Sequence, residues 1–350
     1  MTGAGWGRPA VGSDDDLGIV RALVGPDDPC GDRPAGGAHA DARGRATLAL
    51  ILATPSKARR TERARPGWAG ALAVVPPLGV IVLAVVGFVV VRDVSRTGSA
   101  ALAATPRPLT YAAGPGAPSA SRLLAGLARI AVRQPPAKGG AYTYVETRGW
   151  YLDTRVGGGT AGSALVPQVT QTWRASNGSG RVVTRTAGFL DQGARVDDQV
   201  FGPGGLVATW GSMRLSTDPR RLAGQLAIGH PLADGPAERF VAVADLAREG
   251  PRPPAVQAAV LRVLAEESGL VDRGGVIDRA GRRGVAVSVD SSYSGKPTRY
   301  TLIFSPVTGG LLGSEAMLLG DAGRLHVRVP AIVDYTTILA SANVPTTGSP

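Results

Sequence analysis

Apolar and polar positions divide the chain sharply. From Ala69 to Val91 a run of 23 residues (AGALAVVPPLGVIVLAVVGFVVV) carries no charged or strongly polar side chain. About 20 such residues cross the hydrocarbon core of a bilayer at ~1.5 Å rise per residue. Core helices of soluble domains seldom stay apolar on every face for that length, so the pattern predicts one transmembrane helix over 69–91. Pro76 and Pro77 sit near its N-terminal end, where kinks are tolerated, and shift the helix start toward Leu78. Before the span, Lys57, Arg59, Arg60, Arg63 and Arg65 face a single Glu62. The positive-inside rule therefore places the N-terminus in the cytoplasm and the larger C-terminal part outside the membrane. A charged region reaching residue 68 is too long for a cleaved signal peptide of about 15–30 residues, which favours an uncleaved signal anchor in the cell membrane.

Elsewhere the periodicities are those of a globular domain flanked by irregular chain. Residues 1–68 read as a mostly disordered tail with two short helices, one at Leu17–Val24 behind Asp14, Asp15 and Asp16, the other near Ala38–Leu52. Residues 92–118 read as a Pro/Gly/Ala linker. A domain is expected over 119–340, and a disordered end over 341–350. It opens on an amphipathic helix capped by Ser119 or Ser121, with Leu123, Leu124, Leu127, Ile130 and Ala131 on one face and Pro135–Pro136 beyond it. Strands follow at 141–152, 167–175 and 181–188, the last two joined through Asn177-Gly178, a strong hairpin signal. Short helices occupy about 219–268, with Val256, Val260, Leu261 and Leu264 on one face. Period-two runs then return at 271–278, 284–290, 299–305, 311–319 and 325–335. Hairpin-linked strands with a block of inserted helices predict an α+β fold: a curved, half-barrel-like antiparallel sheet outside the membrane.

Composition narrows the function classes. The chain has 350 residues, a net charge of +11, 49 Gly, 27 Pro, one Cys and three His. Its one cysteine, Cys30, falls on the cytoplasmic side, so neither a disulfide framework nor a cysteine zinc module is available outside. The basic excess is spread along the sequence, without the aromatic-interleaved patch of a nucleic-acid binder, and no nucleic-acid partner is expected.

Catalytic templates fail in turn. Outside the membrane only His230 and His326 occur, far apart and without neighbouring His or Cys, so no metal site is expected. Ser294-Gly295-Lys296 lacks the opening Gly and the following Ser/Thr of a phosphate loop and reads as a turn. Ser179 lacks the flanking glycines of a nucleophile elbow. Asp197–Asp198 and Glu266–Glu267 would serve a carboxylate-dependent hydrolase only if tertiary structure brought acids together. Neither a catalytic residue nor a cofactor is predicted. Tyr142, Tyr144, Trp150, Trp173 and Trp210 either line an apolar ligand pocket on the concave side of the sheet or are ordinary core.

Several segments carry a family resemblance: Tyr142 to Trp150 (YTYVETRGW), Trp173 to Arg181 (WRASNGSGR), Ser216 to Pro219 (STDP), Ala280 to Val287 (AGRRGVAV) and Leu302 to Gly313 (LIFSPVTGGLLG). Together they resemble a family of uncharacterised actinobacterial single-pass membrane proteins often encoded beside extracytoplasmic-function sigma factors. The family is similar in architecture to envelope-stress sensors and the lipoprotein-carrier fold. The resemblance implies a non-enzymatic sensor or accessory regulator, with a lipid or peptide ligand outside and a sigma factor or similar regulator against the tail. A carrier module on a passive tether is the alternative, and an extracellular hydrolase the third reading.

Overall fold

The computed structural model describes residues 104–113, 119–157, 160–187, 194–211, 213–325 and 327–348. The tail helices, the span at 69–91 and His326 lie outside the described residues, among which no helix is long and apolar enough to cross a membrane.

Ser119 opens helix α1 (Ala120–Ala131), its hydroxyl accepting the Arg122 N–H at 3.3 Å. Ala120, Leu124, Leu127, Ala128 and Ala131 form its buried stripe. Four strands follow: β1 (Tyr142–Gly157), β2 (Thr160–Ala175), β3 (Gly180–Thr186) and β4 (Arg195–Phe201). Three helices come next, α2 (Pro219–Leu226), α3 (Gly235–Arg248) and α4 (Pro254–Ala265). The chain then returns through β5 (Val271–Ile277), β6 (Arg283–Ser291), β7 (Thr298–Phe304), β8 (Leu311–Leu318) and β9 (Ala331–Val344). The strands form one nine-stranded sheet in the order β4-β3-β2-β1-β9-β8-β7-β6-β5, antiparallel throughout. The fold is α+β, as the alternation of strand and helix blocks predicts.

Alternation along β6 explains the layering. Val285, Val287 and Val289 point to the helix side, where Leu302 and Phe304 of β7 join Leu124, Leu127, Phe240, Leu261 and Leu264 in the principal core. Ala286 points the other way, packing with Val276, Ile303, Leu109 and Tyr111. Strand β6 is thus covered on both faces, by helices on one and by residues 104–113 on the other.

That second cover corrects the linker reading of 92–118. Residues 104–113 form a strap along the sheet. The Ala112 N–H donates to the Gly275 carbonyl at 2.8 Å, and the Arg107 carbonyl accepts from Arg279 at 3.0 Å. Gly274, at φ +75°, lets the strap approach: a Cβ there would lie 2.7 Å from the Ala113 nitrogen.

The C-terminal boundary also moves. A short 3-10 turn occupies Gly323–Leu325, and β9 begins only at Ala331, not at 325. It continues through Ser341 to a buried Val344, so the first residues of the segment expected to be disordered are paired strand. Strand β4 escaped the sequence pattern because RVDDQVF is a mostly exposed edge strand with no buried face. Hairpin β2–β3 turns through Asn177-Gly178 as expected, with Gly178 at φ +74°.

Candidate functional site

Helix α1 lines an open groove on the surface of the domain. Its buried stripe faces α4. Rotated away from that stripe, Leu123, Gly126 and Ile130 are half-buried, and beyond them Arg122, Arg129 and Arg133 are exposed. These side chains, with Leu127, Val285 of β6 and Pro306, line a groove of about 590 Å³. Its floor is aliphatic and its rim is guanidinium. No acidic residue lies in α1, and among the described residues none of the three arginines is paired with a carboxylate. An apolar channel beside unneutralised guanidinium groups suits a ligand with a hydrocarbon body and an anionic head, since guanidinium binds carboxylate and phosphate oxygens in a forked geometry.

The five predicted aromatic residues do not converge on it. Tyr144 and Trp173 stack obliquely at 5.0 Å in a cluster with Val183, Val344 and Tyr142. The Tyr144 hydroxyl donates to Glu146 Oε2 at 2.5 Å, and burial, reinforced by that carboxylate, pushes the phenol up to about 12. Trp150 belongs to another cluster, against Tyr335 at 5.3 Å with Val169 and Ile332. Trp210 lies on the helix side, donating from Nε1 to the Gln225 carbonyl at 2.8 Å. Three separate packing sites thus hold the five, and only Tyr142, Tyr144 and Trp173 share one.

The titratable groups are likewise committed. His230 stacks on Trp210 at 5.5 Å between two carboxylates, with Nδ1 2.6 Å from Glu238 and Nε2 3.6 Å from Asp245. Arg248 bridges Asp245 to the Thr336 hydroxyl. Desolvation, with repulsion from Asp245, raises the half-buried Asp334 to about 6 against the opposing charge of Arg248. With both imidazole nitrogens turned to acids, this network ties α3 to β9. Asp197 and Asp198, as strand neighbours, point to opposite faces. They pair with Arg195 and Arg181 respectively. Glu267 accepts from the buried Arg239, and Glu266 is exposed. Ser294-Gly295-Lys296 is the turn its sequence suggests, with Lys296 bonded to Asp321 at 2.9 Å. No group of three or more ligating side chains suited to a metal occurs among the described residues.

Comparison with protein-family models, curated proteins and solved structures finds no match to this chain. Sequence reading passes over the groove arginines, although the signal is present: Arg122, Arg129 and Arg133 stand at i, i+7 and i+11, one stripe away from the helix's leucines.

Proposed function

We propose that the chain is a membrane-anchored, non-enzymatic binding module, held by a single span at 69–91 with its N-terminus in the cytoplasm and its sheet domain outside the membrane. Its ligand is an amphiphile received by the α1 groove. The observation that carries this reading is the pairing of an aliphatic floor with three arginines that no carboxylate among the described residues neutralises, in a groove of about 590 Å³. Half-barrel curvature of the sheet belongs to the same proposal. It is supported by register shifts in four strand pairs, at Glu146/Thr147, Asp272/Gly274, Ile303/Phe304 and Ala316/Met317, because bulges bend and twist the strands that carry them.

The test uses the full chain in neutral detergent micelles and a dansylated undecanoate as probe. Saturable fluorescence enhancement is expected, reduced at least about tenfold in affinity by Arg129→Glu/Arg133→Glu, because charge-assisted contacts are lost. Equal probe affinity in the wild type and this variant would refute the groove as the site. A sensor role further requires residues 1–68 to contact a cytoplasmic regulator such as a sigma factor. Pull-down with that segment, compared with a chain whose tail is exchanged for an unrelated basic anchor, separates signalling from passive tethering.

A further inference from the structure

The sequence around α1 has a charge asymmetry that reaches past the groove. Between Asp93 and Glu146 the chain holds no carboxylate residue at all, yet it holds Arg96, Arg107, Arg122, Arg129, Arg133 and Lys138. This acid-free stretch begins three residues beyond the predicted span and ends in β1. In the fold it supplies the strap and α1.

The apolar side chains beside these arginines are unusually exposed. Val307, at the tip of the turn between β7 and β8, is 73% exposed, and Val132, at the end of α1, is 45% exposed. Gln134 holds the two features together, donating from Nε2 to the Ile130 carbonyl at 3.3 Å and to the Val307 carbonyl at 3.2 Å. Gly309, at φ +71°, closes the turn directly against α1, where a Cβ would lie 2.9 Å from the Leu127 carbonyl oxygen. A projecting apolar turn is thus fixed beside Arg129 and Arg133.

The strap lies on the sheet face opposite the groove and ties the chain that follows the predicted span to edge strand β5. Ala112 bonds to Gly275, Gly275 pairs with Val285, and Val285 lines the groove. Ala104, where the described strap begins, is thirteen residues beyond Val91. That length spans at most about 45 Å even when fully extended.

We infer that the outward side of α1 and the Pro306–Val307 turn dock on an anionic lipid bilayer, with Val307 and Val132 entering the interface and the arginines holding lipid phosphates. The proximity of the bilayer rests on the single-span reading above. Charge complementarity and protruding apolar tips select the bilayer surface over an acidic protein: basic side chains near an anionic membrane each add about fivefold to its attraction, and small apolar tips insert without a shaped partner.

The test reconstitutes the full chain, carrying Cys30→Ser and Val307→Cys with an environment-sensitive fluorophore, into vesicles of brominated phosphatidylcholine with or without phosphatidylglycerol. Flotation that resists alkaline carbonate reports the anchor independently. Strong bromide quenching is expected in anionic vesicles, with weak quenching in neutral ones. Adding Arg129→Glu/Arg133→Glu should lower the docked-to-undocked ratio by at least about thirtyfold, and high salt should weaken docking in the parent. Failed flotation would overturn the anchor. A chain that floats but stays unquenched in both vesicles, or is quenched equally with and without the arginines, would overturn the docking. Quenching that scales with the protein-to-lipid ratio in neutral vesicles would assign the patch to a second copy of the chain and likewise overturn it.

Discussion

Replacing Arg279 by Met would expose what joins the strap to the sheet. Arg279 follows β5, and its guanidinium meets Glu315 of β8 with Nε 2.5 Å from Oε1. Both side chains are almost fully buried, 3% and 4% exposed. The same guanidinium lies 4.7 Å from the Tyr335 ring centroid and donates to the Arg107 carbonyl at 3.0 Å, while the Arg279 carbonyl accepts from Arg148 at 3.0 Å. Arg279→Met keeps most of the packing volume but leaves the Glu315 carboxylate buried without this partner. Breaking one side of such a pair costs roughly 3–5 kcal/mol, mostly desolvation of the stranded charge. In a domain of this size each kcal/mol lowers the midpoint by about 2–4 °C, so the variant should melt roughly 6–20 °C lower. The double variant Arg279→Met/Glu315→Leu removes the stranded charge and should recover most of that loss. Urea unfolding followed by tryptophan fluorescence, read as a double-mutant cycle, measures the coupling. A single variant within about 1 kcal/mol of the parent, or a double variant showing the sum of both single losses, would refute the reasoning.

Three further outcomes follow from particular residues. Asp334 is raised to about 6 in the folded chain, above an ordinary carboxyl near 3.9 when unfolded, so the native state binds the extra proton between those values. Stability should therefore fall as pH rises through that window, and Asp334→Asn should gain about 2 kcal/mol at pH ~7.5 but almost nothing at pH ~4, read from urea midpoints at the two pH values. Gly126→Leu places a side chain in the groove where the nearest atom to a Cβ is Arg129 Nη2 at 4.0 Å. It should raise helix stability by up to about 1 kcal/mol while displacing the dansylated undecanoate, so a variant that melts higher but binds equally would relocate the ligand. Gly274→Ala puts a Cβ against the Ala113 backbone and should release the strap, seen as new thermolysin cleavage within 104–113 while the far-UV circular dichroism stays unchanged.

The strand and helix blocks were legible because each carries its period in uninterrupted form. Val256, Val260, Leu261 and Leu264 are all buried in α4 as their spacing requires, and the alternation in β6 and β7 separates the two faces of the sheet. Where reading failed, the local chemistry was that of a different element. The strap is rich in Pro and Ala and has no repeating period, because Leu109 and Tyr111 insert singly into a sheet whose own residues supply the rest of the contact. Strand β4 has Val196 and Val200 exposed at the edge, where burial imposes no pattern. The start of β9 was misplaced because Leu325 and Val327 are apolar for another reason: they pack in a loop cluster with Leu152 and Leu318.

The aromatic residues carry a signal that sequence leaves open between a ligand pocket and ordinary core, and their packing is that of core. Tyr144, Trp150, Trp173 and Trp210 are large and scarce, so they centre three packing clusters, with Tyr144 and Trp173 sharing one, and their burial leaves little surface for a ligand. The groove instead uses residues that an amphipathic reading treats as the solvent side of a helix. What separates Arg122, Arg129 and Arg133 from an ordinary solvated face is the absence of any counter-charge over the whole interval from Asp93 to Glu146. A helix face selected only for solubility mixes signs, because alternating charges along a helix stabilise it by i,i+4 pairing. Excluding acids over that interval forgoes such pairing, which is the sequence counterpart of the anion-binding role proposed for the groove.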